Sequence, residues 1–457
     1  MTQEQLATLI AGPTNDLVNK LQVSSYSLPT WDALKKEYEP TLHKIMTDTT
    51  LYPIKKSSTG GDDFKRTPLG LQKLAVNRIS QSMFSTPVER KYKYDINNEQ
   101  EKKAAAILEQ IYKTENFIDS ENMERAKKLH ATCQMVTVWA TIEKPTIIEE
   151  EECKYSLIHK TYSEMDGYKL YPQIDSMGNM VVFSIGYTTT DNVARLDVYT
   201  ATNLYNLVKG DDWIIETVKK GNFMPLVYSN MSQPVWGGQD GTLLVEQLEE
   251  MESYQGLYVK RNALPTFTID WGELNGAVAA TTSEKTDDAR RLIEVGKGGS
   301  MKDVTWAGAG ESVKERYNRI RNAYFEQVQM PDLSFSTLIN SNTSAENKEF
   351  MFTDAQQKAR DLGGEWERLF YLELQLVKQF MAVMYPSLAK ELAQISIRSV
   401  IHPYSVRTKK EIAEYISLAG DNMSLKTKIG ILAEVDDIDE EIKAIQEEQG
   451  TVTNQLA

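Results

Sequence analysis

A chain of 457 residues with 41% hydrophobic and 25% charged side chains is long enough to bury a sizeable core, on the order of three domains, and is not collagen-like, mucin-like or wholly disordered. The 51 Lys and Arg against 65 Asp and Glu leave a net charge of -14, which excludes tight wrapping of nucleic acid by the whole surface, so any DNA contact is local or weak. Met1 to Pro13 has neither the cationic start nor the apolar run of a signal peptide, and the longest apolar stretches, such as Phe380 to Tyr385, are far too short for a membrane span.

Residues 1–65 read as an N-terminal arm of short helices, with Trp31, Leu34, Tyr38 and Leu42 on one face, ending in the polar linker Ser57 to Asp63. Helical spacing returns at Leu71, Leu74, Ile79 and Met83 before Pro87, at Ala104, Ile107, Leu108 and Ile111, and from Met123 to Leu129. Cys133 to Ile142 alternates like a strand through Val136, Val138 and Ala140. Between 153 and 230 the period falls to two, through Val181, Phe183, Ile185, Leu196, Val198, Trp213 and Ile215, with turns such as Met177-Gly178-Asn179; this predicts an antiparallel sheet.

Leu244, Leu248, Met251, Tyr254 and Tyr258 then mark a strong helix over 242–262, acidic at Glu246, Glu249, Glu250 and Glu252 and closed by Lys260 and Arg261. An inserted β hairpin is expected from Phe267, Ile269 and Trp271 and from Leu292 to Val295. A second amphipathic helix runs over 312–330 on Val313, Tyr317, Ile320, Tyr324 and Val328, and Pro331 ends it. After a loop rich in hydroxyls and amides, Thr343 and Glu346 form a capping box for an unusually long helix reaching Tyr385, with a kink expected at Gly363-Gly364. Ile395 to Ile401 makes a last strand, and helical patterns at 409–418, 424–433 and 437–449 build the tail, the last with Ile438, Ile442 and Ile445 on one stripe. The fold class is α+β, mainly α.

Local chemistry is sparse. His43, His130, His159 and His402 are scattered with no HExxH seed, so structural or surface roles are expected and no metal site or other cofactor is assigned. Gly308 to Val313 lacks the third glycine of a dinucleotide turn, and neither a triphosphate-cradling GxxxxGK[ST] loop nor a GxSxG nucleophile elbow is present. The acidic runs Glu149 to Glu152 and Asp436 to Glu441 read as solvated faces or a helix start rather than acid/base pairs or calcium loops. Cys133 and Cys153, twenty positions apart, suit a reducing compartment. No catalytic residue and no enzymatic activity are assigned.

The order of elements resembles the portal proteins of tailed double-stranded DNA bacteriophages. The likeness lies in Leu71 to Tyr94, Asn116-Phe117-Ile118-Asp119, Pro225-Leu226-Val227-Tyr228, Met330 to Phe335, Phe350-Met351-Phe352, and the tail segments Asn422 to Thr427 and Val435 to Glu441. It departs at Ser344-Ala345, where family members often have a glycine after the serine.

The resemblance implies a ring, normally of twelve subunits, at one capsid vertex of the virion, assembled in the host cytoplasm. DNA is packaged and ejected through it. Implied partners are passing double-stranded DNA, the large subunit of the terminase motor, a head-tail adaptor, and capsid and scaffold proteins, with no membrane. Carried onto this chain, 66–241 and 344–404 form the wing, 242–262 and 311–330 the stem, 263–310 the clip, 331–343 the tunnel loop and 405–457 the crown and tail. The tunnel loop would meet phosphates through Ser334, Ser336, Thr337, Asn340, Ser341 and Asn342, which bond briefly and without sequence preference, while an acidic bore repels the polyanion. Without the resemblance, a surface loop and an intradomain helix pair are the preferred readings of these segments. In the stem, Arg316, Arg319 and Arg321 would pair with Glu246 and Glu250 of a neighbouring subunit, DNA being the alternative partner. Trp271, Lys297 and Met301 are candidates for terminase docking at the clip, a solvated hairpin being the plainer reading. Another connector or minor capsid protein is the runner-up function, and a cytosolic carboxylate hydrolase the outsider.

Overall fold

The computed structural model describes residues 3–10, 12–52, 65–262, 267–270, 292–295, 309–330, 353–403, 409–420, 423–432 and positions 441, 442, 444 and 445. Helices α1 (Gln3–Ile10), α2 (Thr14–Leu21), α3 (Trp31–Tyr38) and α4 (Lys44–Thr47) open the chain. Helix α5 (Leu71–Phe84) buries Ile79 and Met83 of the predicted stripe together with Ala75 and Val76, while Leu71 and Leu74 are half-buried. Strand β1 (Glu89–Lys93) follows, then α6 (Glu99–Glu109), whose first turn is capped by Asn98 accepting from the Gln100 and Glu101 N–H groups. A π-helical stretch, Gln110–Glu115, leads to α7 (Ile118–Thr132), which is entered and left through left-handed Phe117 (φ 48°) and Cys133 (φ 63°).

Strands β2 (Gln134–Ile148) and β3 (Glu151–Tyr162) form a long antiparallel hairpin. Its two-residue turn, Glu149 (φ 48°) and Glu150 (φ 64°), has the doubly positive φ that matches strand twist, so half of the acidic run is a tight turn. Strands β4 (Lys169–Ile174), β5 (Met180–Thr188), β6 (Ala194–Thr200), β7 (Asn203–Lys209) and β8 (Trp213–Lys220) make the expected antiparallel sheet in sequential order. Strand β9 (Leu226–Asn230) returns to pair with β2, giving the order β3-β2-β9.

Beyond β9 come α8 (Gln239–Asn262), β10 (Phe267–Asp270), β11 (Leu292–Val295) and α9 (Ala309–Val328). β10 and β11 pair in parallel, Phe267 opposite Leu292 and Asp270 opposite Val295, where a hairpin was expected. A parallel pair needs a crossover rather than a tight turn, and the 21 residues between the strands are long enough to make one. Helix α10 (Thr353–Met384) stays helical through Gly363-Gly364; the capping box at Thr343 lies outside the described residues. A short α11 (Ala389–Gln394) precedes β12 (Ser396–Val400), and α12 (Lys409–Ala419) and α13 (Leu425–Leu432) lie in the tail. Of the helix expected at 437–449, residues 441, 442, 444 and 445 are helical, and the others lie outside the described residues.

Two long-distance unions fix this layout. β12 pairs antiparallel with β1, over three hundred residues upstream, tying the end of α10 to the start of the α/β region. β1 reads Glu-Arg-Lys-Tyr-Lys, with no apolar alternation to announce a strand. The presumed arm is also built in: Leu6, Leu17, Val18 and Leu21 share a core with Val181, Val182, Leu196, Val198 and Leu207, so α1 and α2 cover one face of the five-stranded sheet. Trp31 and Leu34 enter the main core, where α5, α7 and α10 meet around Trp366 and Phe370. Among the described residues no helix is long and apolar enough to cross a membrane.

Candidate functional site

The paired helices α8 and α9 are the described part of the predicted functional machinery. α8 starts from the turn Pro234 to Gly238, where consecutive left-handed Gly237 (φ 82°) and Gly238 (φ 59°) reverse the chain. At Gly241 the backbone lies so close to the Trp236 carbonyl that a Cβ would overlap its oxygen. Val245 and Leu248 on α8, and Tyr324, Phe325 and Val328 on α9, are buried; the guanidinium groups of Arg78 and Arg321 each lie 5.6 Å from the Phe325 ring.

The base of α8 is fastened by the segment that runs from α3 to α5. Glu249, 1% exposed, has Oε1 2.5 Å from His43 Nδ1 and accepts the Leu69 N–H at 2.7 Å. His43 Nε2 is 2.8 Å from the Glu37 carbonyl oxygen. Both ring nitrogens therefore face acceptors, and both contacts become hydrogen bonds only with a proton on each, supplied by an imidazolium or by the Glu249 carboxyl. One turn further on, Ser253 Oγ accepts the Thr67 N–H at 2.9 Å. On the other side Glu37 Oε2 accepts from Trp236 Nε1 at 3.0 Å and Thr242 Oγ1 at 3.1 Å. Helix, turn and N-terminal segment are thus one hydrogen-bonded unit.

Of the predicted stem residues, Glu246 is engaged within its own chain by Lys44 at 2.9 Å. Glu250, Arg316 and Arg319 are exposed, while Arg321 is half-buried against Phe325. Ser334, Ser336, Thr337, Asn340, Ser341 and Asn342 of the tunnel loop, and Trp271, Lys297 and Met301 of the clip, lie outside the described residues.

A second polar unit, absent from the sequence reading, rivets α10 to the α/β core. Glu373, fully buried, takes Arg125 Nη2 at 3.0 and 3.2 Å, the Tyr112 hydroxyl at 2.7 Å and Trp139 Nε1 at 3.1 Å. Arg125 also donates to Asn122 at 3.0 Å and Thr137 at 3.1 Å. A signal was present: Leu369, Glu373 and Val377 are spaced by four, so the acid interrupts an apolar stripe. Glu249 carried no such sign, since Ser253 follows it at the same spacing and the whole acidic set of α8 reads as a polar face in sequence.

The histidines and cysteines have structural surroundings. His130, hydrogen-bonded to Ser80 at 3.0 Å, has its pKa driven down to about 3 by burial and then by the charge of Lys358. His159 meets Glu121 and Asn116, and His402 meets Glu89. Burial pushes the Cys133 thiol up to about 12, so it is not a poised nucleophile. Among the described residues no three His, Cys, Asp or Glu side chains converge as a metal site.

Comparison with known families adds one match: the family described as phage portal protein, SPP1 Gp6-like, over residues 216–455, more than half of the chain. The matched stretch begins within β8 and takes in α8, the β10–β11 insert, α9, α10 and the tail helices. No curated protein matches the chain.

Proposed function

The chain belongs to the SPP1 Gp6-like phage portal protein family, a structural rather than enzymatic one, and on that premise we propose that copies of it close into a ring-shaped channel at the capsid vertex through which DNA is packaged and ejected. The observation that supports this most directly is the content of the matched stretch. Two amphipathic helices lie side by side, a small β insert separates them in sequence, and a long helix follows.

In this reading α8 and α9 form the stem, and the base of α8, fastened by His43, Thr67 and Leu69, transmits load between stem and wing. Exposed Arg316 and Arg319 of one subunit meet Glu250 of the next, exposed charges that set register more than stability. Residues 331–343 line the tunnel, where hydroxyls and amides let phosphates pass and a ring of lysines would hold them. Residues 263–310 form the clip, on which terminase and then the head-tail adaptor dock, and the wing faces capsid and scaffold proteins.

Negative-stain imaging of the purified protein is expected to show rings with a central hole; compact single chains at high concentration would overturn the reading. The triple variant Ser336→Lys, Thr337→Lys, Asn340→Lys is expected to assemble normally while lowering the DNA content of particles. Full particles from that variant would remove the tunnel-loop assignment and leave the ring intact.

A further inference from the structure

A groove of about 640 Å³ opens between the far end of the five-stranded sheet, the β2–β3 hairpin and the last turns of α10. Its floor is apolar: Phe223 and Phe380 meet edge to face at 4.8 Å, and Val383 is 62% exposed beside them. Its rim is cationic. Lys154, Lys219 and Lys220 are exposed, none forms an ion pair among the described residues, and Glu152 is the acid among the lining residues. An apolar floor under a lysine-rich rim, with Lys219 also within electrostatic reach of Asp197, fits a segment carrying the opposite charge and a narrow apolar stripe.

The chain contains such a segment. Residues 434–449 hold eight acidic residues against one lysine, and Ile438, Ile442 and Ile445 fall on one stripe. Among the described residues, neither the two tail helices nor positions 441, 442, 444 and 445 line the groove. We propose that this groove receives the acidic segment 434–449 of a second copy of the chain, isoleucines on the phenylalanine floor and carboxylates toward the three lysines, so that each subunit's tail latches the next. The latch rests on the ring reading and extends it to a specific contact.

The test uses full-length protein. Unlabelled and ¹⁵N-labelled chains are mixed before assembly, rings are confirmed by microscopy, and a water-soluble carbodiimide then joins lysine amines directly to carboxylates. The expected products are peptides of mixed isotope joining Lys154, Lys219 or Lys220 to acids between 434 and 448, lost in the variant Lys154→Gln, Lys219→Gln, Lys220→Gln. Rings whose three lysines link elsewhere, nowhere, or only within one isotope would overturn the latch while leaving the channel reading standing. Preparations without rings would overturn the channel reading and the second-copy latch together.

Discussion

Glu373 on α10 is met by an arginine, a tyrosine and a tryptophan from the surrounding core, whereas Glu249 on α8 is met by a histidine and a main-chain N–H from a segment crossing the helix base. The first carboxylate is held by side chains from β2 and from the stretch between α6 and the end of α7 that are themselves buried, so it closes the core around α10. The second joins two stretches of chain far apart in sequence, and its partners are a histidine ring and a main-chain N–H. Buried acids thus serve two purposes here: one closes a core, the other fastens a helix to its support.

Breaking the first should cost most. Glu373→Ala leaves Arg125 buried and unpaired, a loss of about 3–5 kcal/mol in denaturant unfolding. The double replacement Glu373→Leu, Arg125→Leu should recover much of that, because an apolar pair strands no charge. Equal destabilisation by the single and double variants would show that packing, not pairing, decides the site. Glu249→Gln should cost less, about 2–3 kcal/mol, because the shape remains and the acceptor weakens. Its signature is local: faster amide hydrogen exchange at Leu69 and Thr67 than at the α7–α10 core. Uniform acceleration throughout the chain would erase the proposed difference between fastening and core.

The smallest effect concerns His130, which belongs to neither carboxylate but tests whether the core is rigid and dry. Its pKa lies near 3 in the fold against an ordinary 6.5, so between those values the unfolded chain binds a proton that the folded chain refuses. Stability contributed by keeping this ring neutral is full above about 6.5 and falls as pH drops through that window. His130→Asn, which retains an acceptor for Ser80, should reduce the loss between pH 7 and pH 5 by about 2 kcal/mol in urea titrations. Identical pH slopes would mean that water or a shifted side chain already accommodates the charge.

Helices such as α5, α8 and α9 were legible as helices from a repeat of three and four, but the repeat misplaced the buried face of α8, where Val245 is buried beside Leu248 and Tyr254 is exposed. The antiparallel sheet was legible from its period of two and its turns. β1 was not, since its strand character comes from β12, paired across most of the chain, and not from its own Glu-Arg-Lys-Tyr-Lys. Nor was the docking of α1 and α2 on the sheet, because an amphipathic helix declares that it has a partner without declaring which. The parallel union of β10 and β11 escaped for a related reason: two short apolar runs carry no mark of relative direction. Of the residues proposed for the stem, Glu246 illustrates the limit. Its charge and helix position were readable, but Lys44, two hundred residues away, was not foreseeable as its partner.

Gly241 imposes a rule on sequence variation. Any side chain there would drive the first turn of α8 away from the Trp236 carbonyl and lift Thr242 off Glu37. Homologous chains that keep this turn should therefore hold glycine at the equivalent position however far the rest diverges, and a chain that has lost it should have rebuilt the join from α3 onward.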